Sequence, residues 1–337
     1  MRFSSLLILL TALLAPAAPA VEPLPSPAPV DIDAAEQAVL DVAPMAVKVR
    51  GLHIAHPVFA IYAMPGERVA IDAAPAPARG PYAIEAAGGR VDVRVPYVAE
   101  RRDQAWTWVA PKRSGLYPIT VTRESDRQRI VLNAFVMRPR TEVADGRLHG
   151  YRIGRYPSEP LRGRAIYEPP EGFVELTEST HGVRVSPHFT LGEFASKQSD
   201  GYPKFVVLDE RLLLALELVI AELRVAGVDA GSLHVMSGFR TPYYNAAIGN
   251  VQYSLHQWGL AADVFVDERP KNGVMDDLDG DGEITRADAE RLYRIIDELH
   301  HKPRYAAFVG GTGLYGPAFP RRGPFVHVDV RGWRARW

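Results

Sequence analysis

The chain has no cysteine, so it folds without disulfides and carries no thiol to which a lipid anchor could be attached. It has no surplus of either charge: 39 Lys and Arg stand against 40 Asp and Glu, a net charge of −1. That balance argues against a general electrostatic pull toward nucleic acid, and partners have to be read from local sites. Long hydrophobic runs are also missing, with one exception at the start. In MRFSSLLILLTALLAPAAPA a single positive charge, Arg2, precedes an apolar run over 6–14, and Ala18-Pro19-Ala20 follows it. The run is too short for a bilayer span and reads as a signal peptide over 1–20. The expectation is an exported protein, periplasmic or extracellular, with no stable membrane insertion after the signal is cleaved.

Beyond the signal, VEPLPSPAPVDIDAAEQ is rich in Pro and Ala without an apolar period, so 21–44 reads as a linker. Over 45–137 the pattern changes to short alternating runs, VKVRGLHI, RVAIDAA, RVDVRVPYV, AWTWVAP, GLYPITVT and RIVLNAFVM, separated by turn residues. These predict an all-β, immunoglobulin-like sandwich acting as a spacer, with Trp106, Trp108 and Tyr117 as core aromatics. Residues 138–185 have no clear period and form an irregular connector that includes the strand-like pieces GYRIG and GFVEL. From 186 onward short helices and strands mix without βαβ alternation, which indicates an α+β domain. A helix is expected over 209–226, because Leu212, Leu213, Leu216, Val219, Ile220 and Leu223 recur at helical spacing between an Asp209 cap and Gly227. After the strand and turn of LHVMSGFR, Thr241 and Pro242 open a second, short helix.

YSLHQWGLAADVFVD, residues 253–267, puts His256 just ahead of an apolar strand and Asp263 inside it. Alternation places Asp263, Phe265 and Asp267 on one strand face, and the small residues Gly259 and Ala261 let the His256 loop fold tightly over the strand start. One imidazole and one carboxylate brought together in this way suit zinc. FVHVDVR, residues 325–331, offers a third ligand on a strand whose valines 326, 328 and 330 face the core, while Phe325, His327, Asp329 and Arg331 share the front.

Ser254-x-His256-x-x-Gly259-x-Ala261-x-Asp263, with Ser237-Gly238-Phe239-Arg240 before it and the His327 strand after it, resembles the zinc D-alanyl-D-alanine carboxypeptidase family. That family shares a fold superfamily with the vancomycin-resistance D,D-dipeptidases, phage L-alanyl-D-glutamate endopeptidases and the hedgehog signalling domain. The resemblance covers residues 186–337. It implies that His256, Asp263 and His327 bind zinc and that Arg240 contacts the substrate or the developing oxyanion. Three ligands leave a fourth position for water, whose pKa zinc lowers to about 7. Many members of the family have an acid three positions before the last histidine, where this chain has Pro324. Asp329 is the nearest carboxylate on the same face and is assigned as general base, the alternative being that it orients His327. Ser237 and Ser254 are substrate-binding candidates, and a local turn role for the Ser254 hydroxyl is equally compatible with its position. Tyr253 and Trp258 either line the cleft or pack in the core, whereas His300 and His301 sit in no ligand pattern and default to the surface.

A second metal signal is MDDLDGDGEITRAD. Asp277, Asp279 and Asp281 at alternate positions, Gly282 at the turn, Glu283 through its carbonyl and Asp288 at the twelfth position fit a structural calcium loop similar to the dockerin variant of the EF-hand. A helix with Leu292, Ile295, Ile296 and Leu299 follows, but none precedes. The whole chain thus reads as an exported zinc metallopeptidase cutting an amide bond in peptidoglycan stem or cross-link peptides, of D,D-carboxypeptidase or endopeptidase type. The rival reading is a non-catalytic, zinc-containing module that binds the cell wall; a peptidase acting on a secreted protein is a third.

Overall fold

Arg50 and Gly51 both take positive φ, 51° and 82°, and two such residues in succession reverse a strand within a two-residue loop. VKVRGLHI is therefore not one run but a hairpin, β1 (Val47–Val49) and β2 (Leu52–Ile54). The structure, a computed structural model, describes residues 45–73, 81–98, 104–198, 201–318 and 322–337; the expected signal peptide and linker lie outside the described residues. After the hairpin come β3 (Val58–Ala63), β4 (Arg68–Ala73), β5 (Tyr82–Ala86), β6 (Arg90–Val95), β7 (Gln104–Val109), β8 (Gly115–Arg123) and β9 (Arg129–Val136). They make two sheets, ordered β2-β1-β4-β7-β6 and β3-β9-β8-β5, with β3 and β9 parallel. Inward positions of both sheets, such as Val69, Ile71, Trp106 and Trp108 of one and Phe59, Ile61, Ile119 and Val121 of the other, are buried in a single hydrophobic core. Tyr117 is only half-buried and donates its hydroxyl to the Arg113 carbonyl.

The connector is more ordered than its sequence suggests. Strands β10 (Arg138–Pro139), β11 (Arg147–Leu148), β12 (Tyr151–Arg152) and β13 (Gly172–Leu176) lie in it, and β13 pairs on one side with β10 and on the other with β14 (Lys204–Val206). This three-stranded sheet joins the β-rich half to the half that follows. Between its strands the connector backs the His256 loop. The Tyr156 hydroxyl donates to the Gln257 carbonyl at 2.8 Å, the Trp258 indole N–H to the Glu168 carbonyl at 2.9 Å, and the Tyr253 hydroxyl to the Glu159 carbonyl at 2.9 Å.

In the second half the helix Glu210–Val225 starts where an Asp209 Oδ1 accepts the Arg211 N–H, and all six apolar residues of its expected stripe are buried. Strands β15 (His234–Ser237), β16 (Ala261–Phe265), β17 (Gly311–Tyr315), β18 (Phe325–Asp329) and β19 (Ala335–Arg336) form a sheet ordered β15-β16-β18-β17-β19. Its centre, β16 and β18, carries alanines, valines and two phenylalanines that are buried on both faces. The register aligns Ser237, Asp263, His327 and Gly313 in one row across four strands. The chain that leaves β16 is turned at once by two carboxylates. Asp267 accepts the N–H groups of Asn272 and Gly273, and Asp276 those of Glu268 and Arg269, while the Asp276 N–H returns to the Val266 carbonyl. Among the described residues the structure mixes α and β, with strands in the majority and none of the five sheets closed.

The two halves meet along β3 and β9. Ala60 N–H donates to the Val185 carbonyl at 2.7 Å, Asn133 donates to the Arg184 carbonyl at 2.8 Å, and Glu210 accepts both the Tyr62 N–H at 3.2 Å and Arg50 Nη1 at 3.0 Å. Burial and the neighbouring Asp209 charge push the Glu210 carboxyl up to about 7 from 4.5, against the pull of Arg50. Between those two values the folded chain binds the Glu210 proton more tightly than the unfolded chain, so stability falls as pH rises through the window. The urea midpoint of the wild type is expected to fall more steeply between pH 4.5 and pH 7 than that of Glu210→Gln; identical slopes for the two proteins reject this account.

Candidate metal centre

Three side-chain atoms able to ligate a metal meet at the middle of the register row. His256 Nε2 lies 3.1 Å from His327 Nδ1 and 3.2 Å from Asp263 Oδ1, and the last two are 2.9 Å apart. Around an ion held at about 2.0–2.1 Å by tetrahedral ligands, neighbouring donor atoms stand about 3.3 Å apart. The observed triangle is close to one face of that tetrahedron, and all three side chains are buried. These three residues can therefore hold one metal ion.

Each imidazole is turned so that one nitrogen faces inward and the other is held from behind. His256 donates Nδ1–H to the Gly238 carbonyl at 2.7 Å, and His327 donates Nε2–H to Asp329 Oδ2 at 3.2 Å. Fixing the outer proton in this way leaves the inner lone pair for a ligand. The loop is held in place by its backbone. Leu255–Trp258 is a single 3-10 turn closed by Gly259 at φ 68°, and a Cβ at Gly259 would lie 2.4 Å from the Val207 carbonyl oxygen. The sequence expects the small residue to let the loop fold over the start of β16; the close approach that Gly259 permits is to Val207 and Leu208. His256 also accepts the Arg240 N–H on its own carbonyl, so the SGFR turn and the histidine loop grip each other from both sides.

The electrostatics follow from this packing. Burial of Asp263 works against its charge, but His256 and His327 outweigh it and hold the carboxyl well below the usual carboxylate range. Burial lowers the His256 pKa, with Asp263 opposing. For His327, burial is overcome by hydrogen bonds to Asp263 and Asp329, and its pKa is raised to about 9. The metal-free cluster thus keeps a proton on His327 that a cation has to displace.

Arg240 is not free to reach outward with its whole fork. Its Nη2 is bonded to Asp263 Oδ2 and its Nε donates to Ser237 Oγ at 2.8 Å. It therefore fixes the second oxygen of a ligand carboxylate while lining the cleft. Ser237 acts on Arg240, and Ser254 lines the cleft at the start of the 3-10 turn, with no capping bond from its hydroxyl.

The assignment of Asp329 as general base needs correction. Asp329 lies behind His327, on the ring nitrogen opposite the cluster, and is fully buried. Its oxygens accept from the Gly311 N–H at 2.8 Å, the Arg331 N–H at 3.1 Å, Arg331 Nε at 2.8 Å and Arg331 Nη2 at 2.5 Å. Burial opposes its ionisation, yet His327 and Arg331 hold it far below the usual carboxylate range. A carboxylate so placed orients the imidazole and cannot take a proton from a water at the cluster.

The cluster opens into a cleft of about 730 Å³, within the range of ligand sites. Tyr253 lines it, but Trp258 is buried and faces the connector. Sequence reasoning missed several of its residues: Leu161 and Tyr167 from the connector, Tyr315 and Arg322 from the β17–β18 hairpin, and Trp337. The Trp337 ring lies 5.2 Å from the His327 ring and donates its N–H to the Tyr315 hydroxyl at 2.7 Å. A legible signal was the alternate glycines of GGTGLYG. A Cβ at Gly313 would meet Trp337 Nε1 at 2.5 Å, and one at Gly311 would meet Asp329 Oδ2 at 2.4 Å. Of the two histidines left to the surface, His301 is exposed, but His300 is buried. Its Nδ1 lies 3.0 Å from Arg336 Nη2, and burial with that charge lowers its pKa to about 4.

In the acidic loop, Asp277, Asp279 and Asp281 present oxygens within 4.8 Å of one another on an exposed turn that also carries Glu283. Asp288 does not join them. It is buried and accepts the N–H groups of Leu278, Asp279 and Thr285, closing a capping box at the start of the helix Arg286–Leu299. The twelfth-position carboxylate is thus a backbone tether in this structure, which corrects its assignment as a ligand.

No protein-family model and no curated protein sequence matches this chain. Asp329→Asn is expected to weaken metal affinity about 10–100-fold, as removal of a ligand's outer partner does. Metal affinity equal to that of the wild type would reject the orienting role.

Proposed function

We propose that this chain is an exported zinc peptidase that hydrolyses an amide bond in peptidoglycan stem or cross-link peptides, of D,D-carboxypeptidase or endopeptidase type, with the fold of the family its motifs resemble. The observation that carries the proposal is the triangle of His256 Nε2, Asp263 Oδ1 and His327 Nδ1, with both imidazoles oriented from behind. Two nitrogens and one oxygen make a borderline donor set suited to zinc rather than to calcium or magnesium. When bound, zinc supplies Lewis acidity, lowering the pKa of water to about 7 and polarising a carbonyl.

The chain's own residues do the rest. Asp329, clamped by Arg331, fixes the His327 ring, and Gly238 fixes the His256 ring. Arg240 neutralises Asp263 and borders the cleft where an amide oxygen gains charge during attack. Tyr167, Tyr253, Tyr315 and Phe325 give the cleft apolar walls against which an extended peptide can lie. At the acidic loop, oxygens alone suit a hard cation, and calcium would stiffen the excursion between the two ligand strands.

One observation favours the rival reading. Asp263 is the only carboxylate among the described residues lining the cleft, and it is spoken for as a ligand. A non-catalytic wall-binding module would need no base. Incubation of the zinc-loaded protein with sacculi, followed by mass spectrometry of new peptide termini, separates the two. Release of fragments, abolished together with zinc content in His256→Ala, is the expected result; adsorption to sacculi without any cleavage favours the binder. For the acidic loop, a calcium-selective chelator is expected to lower the melting temperature while leaving zinc content unchanged. Superimposable melting curves would dismiss calcium.

A further inference from the structure

Three arginines line the cleft, and two of them are matched by carboxylates. Arg240 is bonded to Asp263, and Arg331 holds Asp329 through Nε and Nη2. Arg322 differs. Among the described residues it has no carboxylate partner; its Nη1 donates to the Gly316 carbonyl at 2.7 Å, and its guanidinium lies 4.8 Å from the Phe325 ring centre and 5.8 Å from that of Tyr315. Those two rings are themselves stacked, 4.5 Å apart with planes 3° from parallel. A guanidinium held by one carbonyl and a two-ring platform is immobilised before any ligand arrives, so little side-chain entropy is lost when its remaining donors are used.

Its position is informative as well. Phe325 and His327 are alternate residues of β18, and Tyr315 and Gly313 pair with them on β17. Alternate residues share a face and stand about 6.6–6.8 Å apart along a strand. The cation over Phe325 is therefore about one dipeptide repeat away from the metal ligands along an extended peptide lying on the sheet face. A bound divalent ion adds positive charge to a cleft whose one lining acid is already a ligand, and a preorganised cation there calls for an anion from the substrate.

We propose that Arg322 binds a carboxylate of the substrate peptide, one residue or so from the bond that is cut, and so sets which peptides this cleft accepts. This rests on the proposed peptidase reading, and Arg322 acts by binding, not by chemistry at the scissile carbonyl. In a stem peptide whose second residue is D-isoglutamine the carboxylate has two sources: the C-terminal α-carboxylate, or the side-chain carboxylate of a diaminopimelate residue. Both present the planar two-oxygen acceptor that a guanidinium matches.

The test uses the full chain and four peptides, L-Ala-D-isoGln-X-D-Ala-D-Ala with X either meso-diaminopimelate or Lys and the C-terminus either free or amidated. Binding to metal-free protein is measured by calorimetry, and hydrolysis by zinc-loaded protein is measured in parallel. For the wild type, removing one of the two carboxylates is expected to weaken binding at least tenfold, and which removal does so names the source. In Arg322→Ala the same removal should change binding less than about twofold, with Arg322→Lys intermediate and the loss in hydrolysis falling more on KM than on kcat. Should the Ala variant fold poorly, Arg322→Gln replaces it, and the wild-type comparison of acid with amide stands by itself. Wild-type protein indifferent to both carboxylates, or a variant that keeps the full discrimination, overturns the proposal. Carboxylate-dependent binding without hydrolysis of any peptide would instead leave Arg322 in its role and remove the peptidase reading.

Discussion

Three lone pairs pointing at a common centre repel one another unless something positive stands among them, and the arrangement of the C-terminal sheet follows from meeting that requirement. His256, Asp263 and His327 are buried, their acceptor atoms lie 2.9–3.2 Å apart, and the outer ring protons are committed to Gly238 and Asp329. Loss of one member of a buried ionic set of this kind costs about 3–5 kcal/mol. The surroundings show the same constraint: Arg240 sits on the second oxygen of Asp263 and Arg331 on both oxygens of Asp329, so each carboxylate has its own guanidinium.

Cross-strand register does the positioning. Because Ser237, Asp263, His327 and Gly313 occupy one row, the ligand and its neighbours are set by backbone pairing and not by long flexible side chains. His256 alone comes from a turn, and that turn is packed between Val207, the SGFR segment and the connector. Sites assembled on strands with supporting hydrogen bonds hold their geometry better than sites on loops. The N-terminal half contributes at a distance, by fixing the start of the long helix through Glu210 and the connector through Val185.

Much of this was legible in the sequence wherever a local rule applies. The helix over 210–225 and its Asp209 cap follow from apolar spacing, and the valine-backed strand at 325–329 from alternation. The three cluster residues follow from small-residue spacing and family-like motifs. What could not be read depended on pairing at long range. Asp329 looks like a base on its own strand and becomes an orienting group only once β17 places Gly311, and the following residues place Arg331, around it. His300 has no pattern of its own and is buried because Arg336 and Thr312 close over it. The connector reads as irregular because its strands are two to five residues long, too short for a period to show, and its order comes from tyrosine and tryptophan bonds to a loop about a hundred residues away. Asp288 fits a twelfth-position ligand by spacing, but the same spacing from Thr285 makes it a helix cap.

Asp267 and Asp276 knot the base of the excursion that leaves β16, each taking two backbone N–H groups. Chain fastened at its root no longer transmits its own length to the strands that bear it, since the entropy of a closed loop grows only with the logarithm of its size. Evolution or an engineer can therefore lengthen, shorten or exchange the exposed residues held between those two aspartates and leave the sheet's alignment intact, whereas the helix Arg286–Leu299 beyond them buries Ala289, Leu292, Ile296 and Leu299 in the core and cannot be treated in the same way.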